Sequence, residues 1–413
     1  MLAAWAVVYS HSYEIAGGPS AADPLCRLLG GPCIGDYAVQ VFFIMSGFLL
    51  SASLDANNDP LRFLANRLFR IVPGCCFAIL VSVLFIAPSL SDLSWLGVLT
   101  SRMTWTSILW STSELRDLTD IGLSASRYPE LAGFLNGSLW TIPYEMVCYL
   151  VLLSLYMLLS KDSRVAIAAL LLLIVTMAGA RLAVIPDGSF AYGLAAIKLP
   201  YALSDKTLPY FCGGVLFYAC HKRWGAPFSL VLAATGLLLG TAIIGLHDVA
   251  MAVAGPVVLA WLGARRSLLS RLTDKLGDVS YGVYLFGWPV GLLVTSLTNS
   301  TSPLLVFAFS IPIVFALAYS MHRLIEVPVA IAAKPTVFRR LPSFAIGAPE
   351  LPFMRRAAHA IAYAFCLIMI LRFVIFPYPF SLNWFGAQWQ TLVGICLVMA
   401  VILKLGERLS VLR

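Results

Sequence analysis

Residues 303–324, PLLVFAFSIPIVFALAYSMHRL, run for twenty-two positions with Arg323, next to the end, as the one Asp, Glu, Lys or Arg among them. That is about the length of helix that carries a backbone through the roughly 30 Å hydrocarbon core of a bilayer. No water is present there to satisfy peptide groups, so a run of this kind is held to helical geometry. Working outward, comparable runs recur at about 1–16, 38–54, 71–90, 138–159, 165–185, 208–220, 227–246, 249–263 and 279–298, and again at 357–376 and 386–405. Turns rich in Gly, Pro, Ser and charge separate them. Pro73, Pro256, Pro289 and Pro312 fall inside runs, which a bundle tolerates when neighbouring helices satisfy the freed backbone groups. The pattern predicts an all-α fold, a polytopic transmembrane helix bundle of about ten core helices plus a C-terminal pair. The expected organisation is a membrane core over 1–330, a basic Pro-rich cytoplasmic linker over 331–356, and two additional helices within 357–413. A weaker run near 93–110, with Arg102 among Ser and Thr, reads as an interfacial or re-entrant segment.

Composition agrees. Of 413 residues, 60% are hydrophobic and 12% charged, with a mean hydropathy of +0.88, well beyond the apolar share of soluble domains, which excludes a soluble enzyme. The formal net charge of +8 belongs to loops facing the cytoplasm and implies no nucleic acid. Counted by alternate loops, twenty of the 28 Lys and Arg residues share one side and six the other, with Arg181 and Arg372 inside spans. The positive-inside rule then places both termini in the cytoplasm. Seven of the nine cysteines lie in apolar segments as small buried hydrophobes. Cys26 and Cys33 share a short polar loop and form a disulfide if that loop faces an oxidising compartment and the geometry allows it. No cluster of metal-ligand spacing is present, and no metal is expected.

Ionisable side chains at membrane depth are expensive and so mark function by default. His11, closing AVVYSHSYE, is suited to take a proton near neutral pH; the alternative is a helix-end ring hydrogen-bonded among headgroups. Glu14, three residues on, either orients that ring or is a solvated loop carboxylate. Glu145, in GSLWTIPYE, stands at the head of an apolar run and must be protonated, paired, or facing a wet cavity. Beside it Trp140 and Tyr144 are either belt aromatics or walls of a sugar or pantetheine channel. Arg67 and Arg70, in NRLFRIVP, stand one turn apart, pointing the same way, as a phosphate clamp or as topology determinants. Arg323 and Glu326 are spaced to pair at i,i+3 as a structural lock. Asn136-Gly-Ser138 matches a glycosylation sequon and is given no role.

Six strings in order, AAWAVVYSHS (3–12), VQVFFIMSGFLL (39–50), FLANRLFRIVP (63–73), NGSLWTIPYEMVCYL (136–150), LGDVSYGVYLFGWPV (276–290) and RLIEVP (323–328), resemble the membrane-bound acyltransferase-3 family over roughly residues 2–330. The resemblance implies O-acylation of cell-surface glycans by a ten-helix core. It also implies a cytoplasmic acyl-CoA donor, usually acetyl-CoA, and an acceptor hydroxyl reached from within or across the membrane. His11 matches the family's first-helix histidine, its catalytic group, and Glu145 the acidic residue closing the SLW motif. Arg67 and Arg70 match the basic pair before the third helix, ligands for the donor's phosphates. Tyr281 and Tyr284 match the aromatic positions of SYGVYL, as cavity lining or as packing.

Two positions depart from the family. Its arginine, separated from the histidine by ten intervening residues, falls at position 0, so the expectation is that the natural start lies upstream. Gly287 stands where many relatives carry histidine. The function expected is O-acetyl transfer from acyl-CoA to a hydroxyl of a saccharide or glycolipid in the bacterial inner membrane, among membrane lipids and with no tightly bound cofactor. The catalytic candidates are His11 and Glu145; the substrate-binding candidates are Arg67, Arg70, Trp140, Tyr144, Tyr281 and Tyr284. A glycolipid transporter or flippase is the alternative from another class, and a non-catalytic scaffold a third.

Overall fold

The computed structural model describes residues 1–18, 21–29, 31–57, 59–91, 94–102, 104–105, 108, 118–119, 134–159, 162–182, 206–243, 246–265 and 277–336. The C-terminal pair and all but the first residues of the 331–356 linker lie outside them. Helix α1 (Leu2–Gly17) leads to a short α2 (Pro24–Leu29) and then α3 (Ile34–Asn57). Helix α4 (Pro60–Val81) runs on through a π turn (Ser82–Ile86) and a last α turn (Ala87–Leu90), on which α5 (Trp95–Thr100) packs. A two-stranded antiparallel ribbon, β1 (Leu118–Thr119) with β2 (Phe134–Asn136), feeds a 3₁₀ turn (Gly137–Trp140) and α6 (Thr141–Leu159). Then follow α7 (Asp162–Leu182), α8 (Leu208–Trp224), α9 (Phe228–Ile243), α10 (His247–Val253) and α11 (Gly255–Gly263). Next come α12 (Ser280–Thr298) and α13 (Pro303–Met321) with its π turn (His322–Glu326), and last α14 (Val327–Thr336).

The described part of each of the first ten apolar runs lies on a helix or on a pair of helices. Among the described residues, five helices are long and apolar enough to cross a membrane: 34–56, 62–90, 137–157, 280–298 and 303–331. The last of these continues to Thr336, so the stretch read as linker begins in helix. Within the weak run near 93–110 the described residues include the six-residue α5, whose Trp95 and Leu96 are exposed, and further helical positions at 102, 104–105 and 108.

Prolines explain the irregularities. A helical proline lacks the N–H owed to the carbonyl four residues earlier and its ring crowds that carbonyl. Both π turns end two residues before a proline, Pro88 and Pro328, and the wider turn gives the ring room. At Pro256 the run breaks instead, splitting α10 from α11. The carbonyl it frees, that of Ala252, lies over Gly213 of α8, in the place a side chain there would take.

Helix α12 is the centre of the core, buried almost continuously from Gly282 to Leu292. Helix α1 packs against α12, α13 and α3. Helices α3 and α8 form the other close pair, with Gly47 against the Phe211 carbonyl and Gly214 against that of Ile44. Small residues on both sides let the backbones meet, the usual way helices associate without a hydrophobic drive between them. Ion pairs clasp both ends of this pair, Lys206 to Asp36 at 2.9 Å and Lys222 to Asp55 at 2.8 Å. Cys26 and Cys33 are free thiols, and Cys26 donates to the Gly31 carbonyl at 3.2 Å. The bridge that the sequence left open between them is not formed in this structure.

Candidate active site

Two groups of polar side chains lie at different depths. The first surrounds His11 on the last turns of α1. Its side chain is 14% exposed and its ring stands edge-on to Trp288, centroids 4.9 Å apart at 84°. Its Nδ1 is buried without a hydrogen-bond partner, and the Glu14 carboxylate is 3.7 Å away, just beyond hydrogen-bond reach. Trp288 is brought there by α12, which α1 approaches at Gly287. A side chain at 287 would collide with Val8 of α1, which fills the space a histidine would need.

Trp288 packs in turn against Gly137, and the residue before it is one the sequence reading set aside. Asn136 is fully buried; its Oδ1 accepts from the Ser138 N–H at 3.1 Å, and its Nδ2 donates to the Leu285 carbonyl at 3.0 Å. That carbonyl is the one Pro289 leaves without a donor. Asn136 thus repairs the central helix one turn from Trp288. A proline inside a span was the signal that such a donor had to exist, although nothing local named it.

The second group lies deeper toward the end of the bundle that carries Met1. Glu145 on α6 accepts from the Tyr149 hydroxyl, and the charges of Arg67 and Arg70 on α4 bear on both. Arg67 is half-buried over the Phe63 ring at 5.7 Å, with its Nε unpartnered. Arg70 is more exposed and pairs with Asp278 at 2.5 Å. The two arginines therefore share a face and both act on Glu145, but of the two only Arg70 is engaged by Asp278. Burial works against ionisation of Asp278, but the Ser280 hydroxyl and the Arg70 guanidinium overcome it and hold the carboxyl down at about 2.

The Met1 amine also feels Asp278, which puts the start of α1 at this level. Ten residues of helix separate Met1 from His11, a rise of about 15 Å. His11 and Glu145 therefore belong to separate groups, and the charge partners of Glu145 are Tyr149 and the two arginines.

The tyrosines knit helices together. Tyr281 donates to the Ile71 carbonyl of α4 at 3.0 Å, and Tyr284 shares a 2.7 Å hydrogen bond with Thr141 of α6. Trp140 stands edge-on to Tyr144 at 6.0 Å and lines a cavity at the His11 end. The expected Arg323–Glu326 lock does not form. Glu326 meets His322 Nδ1 at 2.8 Å, and Arg323 donates to the Tyr319 hydroxyl at 3.1 Å. The π turn there adds a residue to the turn and breaks the i,i+3 register on which that pairing depended. His322 also faces Gly277, whose φ of +85° and lack of a side chain the contact requires. Among the described residues no three His, Cys, Asp or Glu side chains converge to hold a metal.

The family model described as an acyltransferase domain matches residues 1–323. The chain belongs to the acyltransferase-3 family. This acyltransferase-3 chain is 31% identical over 153 residues to an O-acetyl transferase of Shigella phage Sf6. The matched stretch is 37% of this chain and 42% of that protein, so the match spans less than half of its relative's length. No solved structure matches. Family and apolar helices together make the acyltransferase-3 chain an integral membrane protein.

Proposed function

We propose that this chain is a membrane O-acyltransferase that moves an acetyl group from cytoplasmic acetyl-CoA to a saccharide hydroxyl. The observation that carries it is the His11 ring, fixed by Trp288, with its buried Nδ1 unpaired and a carboxylate 3.7 Å behind it. In this reading the Met1 end, with Arg67 and Arg70, faces the cytoplasm of a bacterial inner membrane with both termini inside, and the excess of Lys and Arg on alternate loops supports that orientation. The donor's phosphates meet these arginines there. Arg67, whose Nε has no partner, is the stronger ligand, because Arg70 is already engaged by Asp278. The pantetheine arm then spans the roughly 15 Å rise along α1 to His11.

At that level a small shift brings Glu14 within hydrogen-bond reach of Nδ1, which holds that nitrogen protonated and leaves Nε2 as the base. Nε2 takes the proton of the acceptor hydroxyl as its oxygen attacks the thioester carbonyl. The C–S bond breaks, and the departing CoA sulfur takes the proton back from the ring. An acyl-histidine relay is the variant in which the ring nitrogen itself takes the acetyl group first. Glu145 balances the arginine charges beneath and takes no proton from the acceptor. Tyr281 and Tyr284 hold α12 in place, while Trp140 and Tyr144 face the acceptor side.

Labelled acetyl-CoA supplied to membranes carrying the wild type or His11→Ala tests the proposal. Label on surface glycan from the wild type and not from the variant is the expected result. Equal label from both removes His11 from the chemistry. Absence of label from both favours a glycolipid transporter or a scaffold.

A further inference from the structure

At the His11 end, a cavity of about 240 Å³ opens between the first turns of α3 and α8 and the start of α10. It falls below the roughly 300–1,000 Å³ of drug-sized ligand sites and has room for a single ring. Gln40 lines it, 4% exposed, with Oε1 left without a hydrogen-bond donor. Trp140 presents an indole to it from the 3₁₀ turn. The remaining polar wall is internally compensated. Asp36 is paired with Lys206, and Asp248 accepts from the Tyr210 hydroxyl at 3.3 Å and lies 3.5 Å from His247 Nε2.

We infer that this cavity is the subsite for a neutral hexopyranoside unit of the acceptor, an assignment that rests on the acyl-transfer reading. A pyranose ring has an apolar C–H face and a belt of hydroxyls, and the cavity offers an aromatic surface beside a rim of donors and acceptors. A buried amide oxygen without a donor is rare in a folded protein, and a sugar hydroxyl supplies the missing proton. Two carboxylates set against one lysine and one histidine leave no positive excess, so an anionic sugar gains nothing here. The cavity also connects to the candidate base by two packing paths. Gly137, on the turn that carries Trp140, touches Trp288, which holds His11. Gly35, beside Asp36, touches Ser10, beside His11.

The test uses the full chain in detergent micelles, with saturation-transfer NMR reading the binding of methyl glucoside, methyl galactoside, methyl mannoside and methyl glucuronide. At least one neutral glycoside should bind, the glucuronide about tenfold or more weaker, and Gln40→Leu and Asp248→Asn should each weaken the neutral ligand about tenfold. Trp140→Phe, which keeps an aromatic face, should weaken it less, and it preserves the test if either polar variant fails to fold. Binding by none of the neutral glycosides overturns the assignment, as does glucuronide binding equally well or unchanged binding in folded variants. Saccharide binding without acetyl transfer would instead defeat the acyltransferase reading and leave the cavity a sugar site. Transfer with an unchanged acceptor KM in Gln40→Leu and Asp248→Asn would do the reverse.

Discussion

A ring nitrogen that is buried, unpaired and backed by a carboxylate is poorly placed for stability and well placed for proton transfer, since a purely structural histidine at a helix end would find a partner. His11→Ala is accordingly expected to lower acetyl transfer by about 10²–10⁴-fold with little change in the unfolding midpoint. Glu14→Gln should lower kcat and leave the KM for acetyl-CoA unchanged, because Glu14 acts on the ring and not on the donor. Asp278 gives a pH signature at the other end of α1. Its carboxyl titrates near 3.8 when unperturbed and at about 2 in the fold, so its stabilisation is complete above about 3.8 and disappears as pH falls through about 2. Asp278→Asn should therefore lower the unfolding midpoint near neutral pH, with the difference from wild type vanishing at about pH 2. Both partners are half exposed, which keeps the effect below about 1 kcal/mol. The type and spacing of Arg67 and Arg70 were legible in the sequence. Their divergence was not, because Asp278 lies 208 residues from Arg70 and only the fold brings them together.

Proline organises the elements around the site. Among the helical prolines three answers to the missing hydrogen bond are seen: a π turn before Pro88 and Pro328, a break between α10 and α11 at Pro256, and a side-chain donor at Pro289. The last makes a sharp prediction. Asn136→Leu should cost about 1–3 kcal/mol by leaving the Leu285 carbonyl buried and unpaired. Pro289→Ala restores the N–H at 289, so the double variant should recover part of that loss. The recovery is partial because the cap on Ser138 stays lost. Thermal unfolding in detergent of both single variants and the double variant measures the coupling, and strictly additive losses would refute the repair. Gly287→His should likewise cost about 1–3 kcal/mol by overpacking Val8, and Val8→Ala should relieve it. The apolar runs were legible because lipid leaves a spanning backbone so little choice. Which helix supplies the missing donor was not, since Asn136 and Leu285 are 149 residues apart.

Over the whole molecule, the two polar groups are stacked along the bundle and not gathered into one pocket. The arginines stand near the level of Met1 and the histidine about 15 Å further along α1. That separation gives the proposed reaction a direction. Under that proposal donor and acceptor would arrive from opposite faces, and the acetyl group would cross between them on the pantetheine arm while the CoA phosphates stayed at the arginines. Membrane vesicles of defined orientation test this directly. Inside-out vesicles, with the basic face outward, should acetylate enclosed glycan when acetyl-CoA is added outside, without permeabilisation. Right-side-out vesicles should acetylate glycan supplied outside, and only after acetyl-CoA is admitted to the lumen. Transfer from external acetyl-CoA by intact right-side-out vesicles and not by inside-out ones would mean that the donor reaches His11 from the side opposite Arg67, and the arginines would then be topology determinants alone. A reporter fused after Trp224 provides the control. The end of α8 is held to Asp55 by Lys222, at the end of α3 opposite Asp36, so the fusion should report the cytoplasm if the basic end lies inside.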